Sequence, residues 1–88
     1  MFFTYILYSP GFDRYYVGHC EDMGARLMRH NSNQVISTRP YAPWKVVYTE
    51  TYLTRSEAAA REKGIKKKKS RVYIEKLIAG GMGGHAPI

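Results

Sequence analysis

The chain opens on an apolar run, Phe2 to Tyr8, dominated by aromatic and β-branched residues, which favour a strand. Ser9-Pro10-Gly11-Phe12-Asp13 interrupts it with turn formers. Apolar character resumes from Tyr15 to Cys20, so the two segments predict an antiparallel hairpin with a loop of about five residues. Asp22 then reads as the N-cap of a helix running to about Asn31. At about 100° per residue, Met23 and Leu27 set its apolar stripe, and Arg26 and His30 fall on that same side. A solvating arginine belongs on the far face, where Ala25 and Arg29 lie. The phase therefore places Arg26 and His30 at the edge of the core, beside the sheet.

Ser32 to Pro43 is polar and carries two prolines, which predicts a loop; Trp44 to Tyr52 is rich in Val, Tyr and Thr and predicts a third strand. Ser56 is the expected cap of a second helix, Glu57 to about Lys66. Its apolar positions Ala58 and Ile65 lie within about 60° of Glu62 on the helical wheel, whereas Glu57 points away. Ser70 is the expected cap of a third helix with Tyr73, Ile74, Leu77 and Ile78 on one stripe, stopped at Gly80. The order β-β-α-β-α-α describes a small α/β domain over residues 1–79, a three-stranded antiparallel sheet flanked by helices. The glycine-rich stretch 80–88 is expected to be a disordered tail.

Composition adds a partner to this outline. Eighty-eight residues build one domain with one modest core. Fourteen Lys and Arg against seven acids leave a net charge of +7, high for so short a chain and suited to a polyanion. Lys63, the run Lys66-Lys67-Lys68-Lys69 and Arg71 concentrate that charge and are the candidate nucleic-acid contacts; the plain alternative is a solvated helix end, where cations favour the dipole. Tyr41 and Trp44 are the right residue types to stack on bases, although core packing of Trp44 is the simpler expectation. Cys20 is the lone cysteine, which excludes an intrachain disulfide, suits a reducing compartment and falls far short of a zinc signature. The apolar start is too short for a signal peptide or a membrane span, so a cytoplasmic location is expected.

Two tyrosine-bearing strand segments, Phe3-Thr4-Tyr5 and Tyr16-Val17-Gly18, precede Arg26, eight residues past the glycine, and His30, four further on. A later helix contributes Glu57-Ala58-Ala59-Ala60-Arg61-Glu62. This set resembles the GIY-YIG nuclease superfamily, most closely its small stand-alone bacterial members and the nuclease domain of the excision-repair endonuclease subunit. Only the tyrosine of the first signature is kept, and the second is changed mildly. His19 stands where some relatives carry a lysine near the phosphate. The resemblance runs from about Phe3 to Ile78 and implies a catalytic set of Tyr5, Tyr16, Arg26, His30 and Glu62, with Glu62 as the metal ligand.

It further implies an endonuclease dependent on Mg²⁺ or Mn²⁺ that hydrolyses phosphodiesters, in DNA in preference to RNA, in repair or recombination. One carboxylate with waters and phosphate oxygens suits Mg²⁺, which keeps much of its hydration. A cation there acts as a Lewis acid, Arg26 offers a fixed fork to the non-bridging oxygens, and His30 relays a proton or orients the phosphate. Tyr5 is the expected general base, with Tyr16 in support; a phenol near pKa 10 serves only where neighbouring positive charge lowers it. Taken singly, each residue has a plainer role, and Glu62 pairs naturally with Lys66 four positions on, for about 0.3–0.5 kcal/mol. The alternative function is a non-catalytic nucleic-acid-binding module that retains the fold; a basic structural protein of a ribonucleoprotein would need only the lysine run.

Overall fold

The computed structural model of the chain describes residues 1–80. Its elements are β1 (Phe2–Ser9), β2 (Arg14–Cys20), α1 (Met23–Asn31), a short 3₁₀ turn (Arg39–Tyr41), β3 (Lys45–Tyr52), α2 (Arg55–Lys68) and α3 (Arg71–Gly80). The predicted order β-β-α-β-α-α holds, with antiparallel strands in the spatial order β2-β1-β3. Of the expected tail, only Gly80 is described, as the last residue of α3; residues 81–88 lie outside the described part. No helix among the described residues is long and apolar enough to cross a membrane.

β1 is the central strand, and this explains its composition. Thr4, Tyr5, Ile6 and Leu7 are all buried, because both faces of the strand are covered. Successive side chains point to opposite faces. Tyr5 and Leu7 join Cys20 and Trp44 on one face, against Met23 and Leu27 of α1. Ile6 joins Val17, Tyr48 and Ile65 on the other, against Tyr73, Ile74, Leu77 and Ile78 of α3. Thr4, on that second face, donates from its hydroxyl to the Ala58 carbonyl at 2.8 Å and seats the start of α2. The sheet is thus sandwiched, with α1 on one side and α2 and α3 on the other. β2 is an edge strand around which both layers can reach.

The hairpin turn closes as its residues suggest: the Phe12 and Asp13 amides bond the Ser9 carbonyl, and Asp13 takes a left-handed φ of 54°. Asp22 caps α1 as expected, accepting from the Ala25 amide at 3.0 Å. α2 starts earlier than expected. Its cap is Thr54 rather than Ser56, because Thr54 and Glu57 form a reciprocal capping box, and this also gives Glu57 a structural task.

A buried polar cluster locks α2 to β3. Glu50 is 1% exposed, and Arg61 grips it with Nε to Oε1 at 2.9 Å and Nη2 to Oε2 at 3.1 Å. Tyr52 donates to Oε1 at 2.6 Å and Tyr48 to Oε2, while Arg61 Nη1 donates to the Tyr73 hydroxyl of α3 at 3.2 Å. Burial works to raise the Glu50 carboxyl, but the donors from Arg61, Tyr48 and Tyr52 outweigh it and hold the carboxyl below its ordinary value.

Candidate active site

Tyr5 lies across from Gly18 in the β1–β2 register. A Cβ on residue 18 would sit 2.5 Å from the Tyr5 hydroxyl oxygen and 2.6 Å from its Cζ. The glycine of the Tyr16-Val17-Gly18 segment is therefore the space that the Tyr5 ring occupies. With that space available, the Tyr5 hydroxyl reaches His30 Nε2 at 3.0 Å. His30 Nδ1 lies 2.7 Å from Thr38 Oγ1, whose hydroxyl points to the Val35 carbonyl at 3.4 Å. Since Thr38 donates to Val35, it accepts from His30 Nδ1–H, and bare Nε2 accepts from Tyr5.

The loop 32–43 is tied down to support this chain. Trp44 Nε1 donates to the Thr38 carbonyl at 2.9 Å, and the Asn31 amide bonds the Trp44 backbone at both its N–H and its carbonyl, at 2.6 and 3.0 Å. Trp44 is buried, so it packs in the core as the simpler expectation had it.

The Tyr5–His30 pair has unequal proton affinities. Burial pushes the Tyr5 phenol well above its ordinary value, Tyr16 adds to this, and Arg26 pulls the other way. Burial pushes His30 down to about 4, with help from Arg26 and Arg29. The proton sits on Tyr5, and His30 is neutral. This reverses what was required of Tyr5 as a base. Its phenol is raised rather than lowered, and the residue is 0% exposed, so no water or substrate reaches it.

Tyr16, by contrast, is half-buried at the edge, its ring 5.1 Å from that of His30 and 6.4 Å from that of Tyr5 between centroids. Of these two phenols, Tyr16 is the one that reaches the surface.

His30 also makes a stability prediction. Its folded pKa lies below its unfolded value of about 6.5, so its contribution is present above that value and is lost as pH falls toward about 4. The loss is on the order of 3 kcal/mol, at about 1.4 kcal/mol per unit. Thermal melts from pH 7 to pH 4 should show wild type losing stability faster than His30→Gln. Parallel curves for the two proteins would mean that His30 is not the buried neutral group described.

The remaining two members arrive from opposite layers and meet at His19 on the edge strand. Arg26 of α1 donates from Nη1 to the His19 carbonyl at 3.3 Å. Glu62 of α2 holds the His19 ring, Oε1 to Nδ1 at 2.6 Å, and its other oxygen accepts from Lys66 Nζ at 2.6 Å. Burial works to raise the Glu62 carboxyl, and the hydrogen bonds from Lys66 and His19 bring it below its ordinary value. The Lys66 ammonium stands 5.4 Å from the Tyr16 ring centroid, which links the carboxylate to the accessible phenol. The helical phase that singled out Glu62 over Glu57 agrees with this geometry.

The six candidate phosphate-binding cations are not gathered on one face. Lys66 joins the Glu62 cluster, whereas Lys68 lies 5.3 Å over the Tyr73 ring toward α3. Lys69 is the C-cap of α2 in a left-handed conformation. Arg71 pairs with Asp13 at 2.5 Å and Glu75 at 3.0 Å, over the Tyr15 ring. Lys63 and Lys67 are exposed, and Lys63 borders a shallow hollow with Ser56, Ala59 and Ala60. An α-helix turns successive residues by about 100°, so a run of four lysines encircles it.

For a divalent cation, Glu62 is the fitting ligand. Among the described residues no group of three or more His, Cys, Asp or Glu gathers. The site thus offers one carboxylate, which suits a hard cation that keeps its waters and takes substrate oxygens. Sequence reasoning missed Thr38 and gave His19 no role toward Glu62.

The comparisons with known proteins agree with the fold. The family model described as the GIY-YIG catalytic domain matches residues 1–76. A UPF0213 protein of Staphylococcus epidermidis is 42% identical over 52 residues, which cover 58% of this chain and 63% of the relative. A UPF0213 protein of Staphylococcus aureus is 39% identical over 66 residues, covering 69% and 80%. The chain thus spans somewhat under two thirds of the length of the S. epidermidis relative. No solved structure matches it significantly. The chain belongs to the GIY-YIG family, with a nuclease-type catalytic domain over residues 1–76.

Proposed function

We propose that this protein is a Mg²⁺- or Mn²⁺-dependent endonuclease that hydrolyses DNA phosphodiesters at the β2 edge, with a cytoplasmic role in repair or recombination. The observation that carries the reading is the convergence of Arg26 and Glu62 on His19, beside Tyr16. A pure binding module has little use for a carboxylate at a phosphate site.

In this reading Arg26 holds the non-bridging oxygens of the scissile phosphate with its planar fork. Tyr16, the accessible phenol, gives its own proton to solvent and as the phenolate, with the Lys66 ammonium nearby, takes a proton from the water that attacks phosphorus as the 3′ oxygen leaves. Tyr5 and His30 are positioning residues; the Tyr5 ring lies beside that of Tyr16, and the neutral His30 anchors Tyr5 by accepting its hydroxyl hydrogen bond. Glu62 would hold the divalent cation, which when bound supplies Lewis-acid stabilisation of the phosphate and of the departing oxygen. Exposed Lys63 and Lys67 extend the contact along the backbone, where each neutralised phosphate adds salt dependence.

The test is purified protein with Mg²⁺, with Mn²⁺ and with EDTA against duplex, single-stranded and branched DNA and the matching RNAs. Cleavage of at least one DNA form, abolished by EDTA, is expected. Salt-sensitive binding with no cleavage of any substrate would favour the non-catalytic module instead.

A further inference from the structure

The Glu62 carboxylate already has a cation. Its two oxygens are both engaged, Oε1 by His19 at 2.6 Å and Oε2 by Lys66 at 2.6 Å. The Glu62 side chain is only 19% exposed and its ammonium partner stands beside it, so the charge of Lys66 opposes a divalent ion arriving from solvent until one of these partners moves away. His19 belongs to a strand and is 30% exposed, whereas Lys66 is 48% exposed on a long flexible stem. Lys66 is the partner that can leave. No cluster of further acidic or histidine ligands among the described residues would help an ion compete with it.

We propose that Lys66 is a built-in counter-cation that holds Glu62 until a nucleic-acid phosphate draws the ammonium away, so that divalent-cation binding at Glu62 is coupled to substrate binding. This rests on the reading of Glu62 as the metal ligand. The phosphate gives Lys66 an anion in exchange for Glu62, and the freed carboxylate oxygen then faces the same phosphate. Linkage makes the effect reciprocal: nucleic acid raises affinity for the cation by the factor that the cation raises affinity for nucleic acid. Free protein is thereby kept from holding a cation, and the loaded site forms only on substrate.

Mn²⁺ binding, read by the electron paramagnetic resonance signal of free Mn²⁺, tests this without any turnover. Lys66→Met should bind Mn²⁺ about thirtyfold more tightly than wild type when no DNA is present. That is the scale of removing a unit charge within about 4 Å of a divalent ion even at the dielectric of water. Lys66→Gln should behave alike, and Lys76→Met, which removes the same charge from an exposed site on α3, should not. A short phosphorothioate duplex should raise the Mn²⁺ affinity of wild type and raise that of Lys66→Met much less. Unchanged or weaker Mn²⁺ binding in both Lys66 variants, with binding still lost in Glu62→Gln, overturns the proposal and leaves Glu62 as the ligand. Tight Mn²⁺ binding that survives Glu62→Gln in the Lys66→Met background overturns the ligand assignment itself, and the proposal with it.

Discussion

Glu50→Ala should lower stability by about 3–5 kcal/mol, the scale of breaking a buried ion pair from one side. The carboxylate is 1% exposed and accepts two bonds from Arg61 and one each from Tyr48 and Tyr52. Removing it leaves a half-buried guanidinium without its partner and two phenols without acceptors, and each such group costs about 1–3 kcal/mol. At about 4–8 °C per kcal/mol for a domain of this size, the melting temperature should fall by at least about 12 °C. The cluster ties β3 to α2, and through Tyr73 to α3, so its loss should also loosen the helix that carries Glu62. Replacing Glu50 and Arg61 together with apolar residues should be less harmful than Glu50→Ala alone. Because the folded carboxyl lies below its ordinary value, this contribution is present above about pH 4.3 and disappears as pH falls from there through the folded value. A melting temperature within about 3 °C of wild type for Glu50→Ala would show that the cluster is not what joins these elements.

Gly18→Ala should have the largest effect on turnover of any substitution that adds only one methyl group. The obstacle is space: the new Cβ would meet a ring that is fully buried and held at its hydroxyl by His30. A side chain with a rigid ring cannot yield locally, so Tyr5 must swing or the β1–β2 pair must part. Overpacking of this kind costs about 1–3 kcal/mol in stability. The functional loss should be larger, because the tilted Tyr5 ring lies beside that of Tyr16, centroids 6.4 Å apart, and the displacement passes to it. A misplacement of about 1 Å at a reacting group costs about 100-fold in rate. Folded Gly18→Ala protein, verified by circular dichroism, is therefore expected to cleave about 100-fold more slowly than wild type. Wild-type turnover in that variant would contradict the view that the Tyr5 ring needs the space at residue 18.

The fold was legible because local signals agreed with one another. The apolar, aromatic and β-branched runs Phe2–Tyr8 and Tyr15–Cys20, the turn residues between them and the Asp22 cap each point to one arrangement. The start of α2 was misplaced because Thr54-Arg55-Ser56-Glu57 contains two cap-type residues, and only the spacing to Glu57 decides between them. Helical phase put Arg26 and His30 beside the sheet, although His30 lies buried in the core rather than at its edge, and it turned Glu62 rather than Glu57 toward the β2 edge, where the structure has it.

Phase could not say how deeply each tyrosine lies, since burial depends on which strand becomes central. β1 is central and hides Tyr5, while β2 is an edge and leaves Tyr16 accessible, which is why the proposed function gives the base to Tyr16. Thr38 and the Glu50–Arg61 cluster were invisible for a related reason. They are contacts between elements whose packing partners no local pattern names.

The central claim is that the carboxylate on α2 facing the β2 edge makes this domain a metal-dependent nuclease, and a paired substitution tests it most directly. Glu62→Gln and Glu57→Gln remove one charge each from the same helix, five residues apart. Glu57 serves the capping box, so its amide should cost about 1 kcal/mol of stability or less and leave cleavage near wild type. Glu62→Gln should retain the fold and the salt-dependent binding of DNA while Mg²⁺-supported cleavage falls below detection. Cleavage that persists in Glu62→Gln at the wild-type rate, or that is lost in Glu57→Gln instead, would contradict the account.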